Sequence, residues 1–253
     1  MDSAGSKRFY TFTFGATSLL QVDSYLLNLT PEATTLPRGL AFDGTYFWLA
    51  DQSTDLIYQF LPDGTSLGAI DAYDGFSSSS LSPTGLAFID GDLWVADRDA
   101  TTNMLYNLSS FHTQKAEFFY ANRGNEYFRT QDGDPMGIVF DGSSFWMVDG
   151  VTNTIYTLDP SGSVLGSCVT PGSDAWGIAS DGTNLFVTDA QTDLIYTLDP
   201  ADCSVLSSFS APGPLSRGLV FDGVNLWVAD SQNDMIYKLD PSLGTVLGSF
   251  SAP

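Results

Sequence analysis

One thirteen-residue pattern occurs five times in this chain, and it restricts the fold more than any other feature. The copies are "GLAFDGTYFWLAD" from Gly39, "GLAFIDGDLWVAD" from Gly85, "GIVFDGSSFWMVD" from Gly137, "GIASDGTNLFVTD" from Gly177 and "GLVFDGVNLWVAD" from Gly218. Each holds two apolar runs joined by Asp-Gly, a pair that supplies the positive φ of a tight hairpin turn. A hairpin with one wet face alternates apolar and polar residues. Here Leu226 and Val228 share one face, Trp227 and Ala229 the other, and all four are apolar. Both faces of each hairpin must therefore be buried.

The leading glycines are spaced 46, 52, 40 and 41 residues apart. Each copy continues through a short turn into a third strand, such as "LIYTLDP" (194–200) or "MIYKLDP" (235–241), and then a fourth, "SVLSSF" (204–209) or "TVLGSF" (245–250). Four short strands in a unit of about 40 residues, with no helical period, predict an all-β fold, the β-propeller. A blade lies between two others, which buries both its faces. After the second strand an Asp is followed four residues later by Asp or Asn: Asp51 and Asp55, Asp149 and Asn153, Asp189 and Asp193, Asp230 and Asp234. Such carboxylates fix turns by accepting backbone N–H bonds.

The N-terminus holds a degenerate sixth copy in outline. "TFGATSLLQVDS" (13–24) aligns with "VFDGVNLWVADS" (220–231), placing Phe14 on Phe221, Leu19 on Leu226 and Asp23 on Asp230. The expected architecture is thus six blades, with residues 1–37 as the degenerate one and 38–253 as five complete four-stranded blades. The alternative is five blades plus an N-terminal arm.

The strand pair "LFVTDAQTDLIYTLDP" (185–200) resembles the YVTN-type propeller repeat, and the units are similar to NHL and virginiamycin-B-lyase-like propellers. That resemblance implies fold; such relatives range from exported binding proteins to lyases and lactone hydrolases. The acidic and Asn metal set of gluconolactonase-like enzymes finds no match here. Lyase-type relatives use a face histidine, and this chain has only His112. A five-blade count would match plant-type glutaminyl cyclases, though without their motifs.

The formal net charge is −21, from 30 acidic and 9 basic residues. Such a surface repels nucleic acid and anionic lipid. No apolar run approaches the roughly 18 residues of a membrane span. The first twenty residues lack the apolar block of a signal peptide, while the Ser, Thr and Asn content suits an exported or cell-surface protein. Asn28 and Asn107 head glycosylation sequons.

The residue just before each first strand's glycine should lie at the mouth of the central channel. That ring reads Arg38, Thr84, Met136, Trp176 and Arg217, with Tyr10 if a sixth blade exists. Two of the nine basic residues fall on it, which suits an anion or a carbonyl-bearing ligand held against Trp176. A second candidate is the insert "SSFHTQKAEFFYANRGNEYFRTQDGDP" (109–135), with His112, Lys115, Arg123 and Arg129. Long loops on a rigid scaffold often carry function. His112 near Glu117 would be an acid–base pair, and Asp132 with Asp134 a set of Ca²⁺ oxygens; otherwise no cofactor is implied.

The function expected from these readings is a non-enzymatic binding or structural module for a protein or small-molecule ligand. The alternatives are a lyase or hydrolase at the channel mouth, and a homo-oligomer pairing through residues 1–30. Cys168 and Cys203 are expected as two separate thiols: one ends a fourth strand, the other sits in the next blade's outer turn, about 17–20 Å away on a straight-strand estimate.

Overall fold

The computed structural model describes residues 36–72, 82–89, 91–98, 103–108, 127–129 and 133–252, with 71 and 127–129 described by their backbone. Among these residues, twenty strands form five four-stranded antiparallel sheets, each in chain order. The first blade is β1 (Pro37–Phe42), β2 (Phe47–Asp51), β3 (Leu56–Phe60) and β4 (Ser66–Asp71). The second is β5 (Pro83–Ile89), β6 (Asp92–Asp97), β7 (Met104–Asn107) and β8 (Tyr127–Arg129). The third is β9 (Pro135–Phe140), β10 (Phe145–Asp149), β11 (Thr154–Leu158) and β12 (Val164–Val169). The fourth is β13 (Ala175–Ser180), β14 (Leu185–Asp189), β15 (Leu194–Leu198) and β16 (Val205–Ser210), and the fifth β17 (Ser216–Phe221), β18 (Leu226–Asp230), β19 (Met235–Leu239) and β20 (Val246–Ser251).

The innermost strands contact one another in sequence, β1 on β5, β5 on β9, β9 on β13 and β13 on β17, and β17 returns to β1. The ring is closed with five blades. A sixth, built from the N-terminal copy, would have to enter between β17 and β1, which already touch. The five-blade alternative is therefore the one the chain adopts, and residues 1–35, with Tyr10 and Asn28, lie outside the described residues.

The repeat's leading glycine makes so tight a ring possible. A Cβ on Gly39 would come within 2.9 Å of the Gly85 backbone, and one on Gly85 within 2.9 Å of the Met136 carbonyl oxygen. Gly137 and Gly177 meet the carbonyls of Trp176 and Arg217 in the same way. These positions need glycine for close approach of backbone to backbone.

The two apolar faces of each hairpin fill two different interfaces. On β18, Leu226 and Val228 pack with Phe186 and Ile195 of the fourth blade. Trp227 and Ala229 pack with Phe47, Leu49 and Phe60 of the first. Trp94, Trp146 and Trp227 are all buried.

The Asp-Gly turns do more than turn the chain. One carboxylate oxygen of Asp43, Asp141 and Asp222 accepts two backbone N–H bonds in its own turn. The other accepts the indole Nε1–H of Trp48, Trp146 or Trp227, at 2.9, 2.7 and 2.6 Å. One Asp thus shapes the turn and fixes the tryptophan of the interface. The Asp ending each second strand is buried and also bonds backbone: Asp51 accepts from Leu36, Ser53 and Thr54, and Asp189 from Asp174 and Thr192.

Cys168 and Cys203 form a disulfide, with Cα atoms 6.2 Å apart. This corrects the expectation of two separate thiols, which treated the strands as straight rods parallel to one axis. Neighbouring strands rotate by about 20–25°, so the fourth strand is swung across toward the outer turn of the next blade. The same contact recurs elsewhere in the ring. A Cβ on Gly64 in the β3–β4 turn would strike Phe250 of β20, and one on Gly244 in the β19–β20 turn would strike Phe209 of β16. Cys203 occupies this turn position with φ +57°, where Gly64 has +88° and Gly244 +68°. A Cys–Cys bond stands where two other interfaces have Phe on Gly.

Candidate functional site

Arg38, Thr84, Met136, Trp176 and Arg217 are each the second residue of an innermost strand. In every blade the pairing register with the second strand slips at this point. Ser216 faces Asp230 and Gly218 faces Ala229, which leaves Arg217 without a partner in the ladder, and the other four blades slip likewise. A bulge frees a side chain from the alternation of the strand and re-aims it. The repeat thus builds five re-aimed side chains at one end of the channel.

Three of the five converge. The Arg38 guanidinium carbon lies 4.4 Å from the centre of the Trp176 ring and that of Arg217 lies 4.1 Å from it. Both are within cation–π range. Trp176 donates from Nε1 to Asp174 at 2.8 Å, which fixes the indole. Arg217 donates from Nη1 to Ser231 Oγ at 3.2 Å. Arg38 Nε and Nη1 and Arg217 Nε are buried with no hydrogen-bond partner among the described residues, where every other buried donor is expected to have one. The other two ring residues have protein partners of their own, although Thr84 lines the channel beside both arginines and Met136 shares an apolar cluster with Trp176. The Thr84 hydroxyl donates to the carbonyl oxygens of Ala96 and Pro135. Met136 packs into the apolar cluster shared by the third and fourth blades.

Below the ring the five glycines, each followed by Leu or Ile, line the channel, whose cavity volume is about 10 Å³. Sites for organic ligands are typically about 300 Å³ or more. The channel itself therefore holds little beyond water, and any larger ligand sits at the mouth.

No family model matches this chain, and no curated protein matches it. Solved structures do. A glutaminyl cyclase from Myxococcus xanthus is 15% identical, with 78% of this chain and 86% of that one covered and a TM-score of 0.58. A chain of the nidogen/laminin complex is 19% identical, with coverage of 86% and 81% and a TM-score of 0.58. Virginiamycin B lyase from Staphylococcus aureus is 18% identical, with coverage of 87% and 71% and a TM-score of 0.51. The chain is a five-bladed β-propeller. At these identities the likeness speaks to fold alone.

Charges of both signs meet at the propeller's mouth. Arg98 lies near Arg38 and Arg217, with its Nε 2.6 Å from a carboxylate oxygen of Asp134. Burial first, then the charges of Arg217 and Arg98, pull the Arg38 guanidinium down to about 9, while Asp174 and Asp51 pull the other way. Burial also lowers Arg217, opposed by Asp174 and Asp230. Two guanidinium groups are thus held against each other on one indole, and no carboxylate pairs directly with either among the described residues.

The second candidate site is largely outside the described residues: His112, Lys115, Arg123 and Asp132, and the side chain of Arg129. Asp134, offered as a Ca²⁺ ligand, carries its carboxylate on Arg98. Asn107 is a strand residue of β7, buried, with its Nδ2 donating to Asp92 at 2.8 Å. That burial closes this sequon to glycosylation in the folded chain. The sequence pattern gave no sign of the bulge. Its trace is the variability of one position in a repeat that is otherwise regular.

Proposed function

We propose that the propeller is a binding module that takes an anionic or carbonyl-bearing group at its channel mouth, on Arg38 and Arg217 against Trp176. The observation that carries this reading is Arg38, only 8% exposed, with two guanidinium N–H groups unbonded. A buried charged donor without a partner is costly, and a ligand acceptor would offset that cost. The disulfide supports export, since such bonds persist in oxidising compartments. The partner, on this reading, is a protein or a small molecule with an exposed acidic group; a nucleic acid or a membrane does not suit a chain of net charge −21.

Thermal unfolding in acetate, phosphate and citrate against chloride tests the reading. The expected result is a rise in Tm with acetate, beyond the general salting-out effect that phosphate and citrate have on any protein, which R217Q reduces and the double variant R38Q/R217Q abolishes. An equal response in the double variant would reject the site.

A further inference from the structure

We infer that the group held at the mouth is a single monoanionic carboxylate, presented end-on by a molecule whose remainder projects outward. This rests on the site proposed above and names the ligand class that the site takes. Three features lead to it. The unbonded donors are guanidinium N–H groups, and a planar carboxylate is the acceptor that matches such donors in geometry as well as charge. Three carboxylates already act on the two arginines. Asp174 acts on both arginines, Asp51 on Arg38 and Asp230 on Arg217, and Arg98 is taken up by Asp134. One added negative charge meets two guanidinium groups, whereas a dianion such as phosphate also meets these carboxylates at close quarters in a body of net charge −21. The third feature is shape. The void below is narrow, lined by the five glycines and the Leu or Ile after each, so only the end of a molecule enters.

The test uses the intact chain at pH 7. N-acetylglycylglycine, its C-terminal amide and inorganic phosphate are titrated separately, followed by calorimetry and by the Nε–H signals of the six arginines. The expected result is that the free acid binds at least tenfold more tightly than the amide or phosphate and shifts two Nε–H signals, which R38Q and R217Q respectively remove. Phosphate binding as tight as the acid would overturn the inference and leave the anion site standing. Equal binding of the amide would overturn it in the same way, by removing the need for a charge. No shift with any of the three would overturn the site and the inference together.

Discussion

Gly218 of the last blade lies against the backbone of Arg38 in the first: a Cβ there would sit 2.5 Å from the Arg38 carbonyl oxygen. This contact closes the ring, since each sheet keeps its own four strands and no strand is exchanged across the junction. Gly218→Ala must push two inner strands apart and should cost about 1–3 kcal/mol or more, read by denaturant unfolding. Gly166→Ala is the control. Its Cβ would meet nothing within 4 Å, and the change should stay within about 0.5 kcal/mol.

Trp227→Ala empties the fifth-to-first interface and should cost about 3–5 kcal/mol. A loss under about 1 kcal/mol would contradict the packing. Asp222 supports the same residue from the turn. Burial works to raise its pKa, but bonds from Asn225, Trp227 and Val224 outweigh it and hold the carboxyl below the usual range. Stability from this group is complete above the unfolded value of about 3.9 and is lost as pH falls through the lower folded value. Asp222→Ala should flatten that part of the curve of Tm against pH; an unchanged acid limb would show that the bonds contribute nothing.

The disulfide predicts that titration of the unreduced, unfolded chain reveals no free thiol. Cys168→Ser should cost about 2–4 kcal/mol. The double variant C168F/C203G rebuilds the Phe-on-Gly contact of the other interfaces and should recover part of that loss. If the double variant is no more stable than C168S, the equivalence of these interfaces is wrong.

Carboxylate binding should weaken with alkali. A carboxylate prefers the charged guanidinium, and burial with the neighbouring arginines brings Arg38 down to about 9. Affinity for N-acetylglycylglycine should be flat from pH 6 to 8 and fall toward tenfold per unit above about 9. A constant affinity up to pH 10.5 would show that Arg38 keeps its proton in the site.

Much of this fold was legible because burial leaves a period in the sequence. Leu226 and Val228 against Trp227 and Ala229 showed that both faces were covered, and they fill two separate interfaces. The blade count was not legible. It depends on whether β17 can reach β1, and that is settled by backbone spacing at Gly218 and Arg38. The disulfide was misread because strand twist, which brings Cys168 over the next blade's turn, leaves no mark in a linear pattern. For the mouth, the ring position could be read from the repeat. The partners of Thr84 and Met136 could not, because the carbonyls of Ala96 and Pro135 and an apolar cluster belong to other strands and other blades.

The proposed acceptor site joins Arg38, Trp176 and Arg217 at the channel mouth. Crystals grown with N-acetylglycylglycine test it most directly. Both guanidinium groups should lie over the Trp176 ring, with carboxylate density bonded to Arg38 Nε or Nη1 and to Arg217 Nε. A mouth in which an aspartate of the chain itself occupies those donors, with the peptide absent, would contradict it.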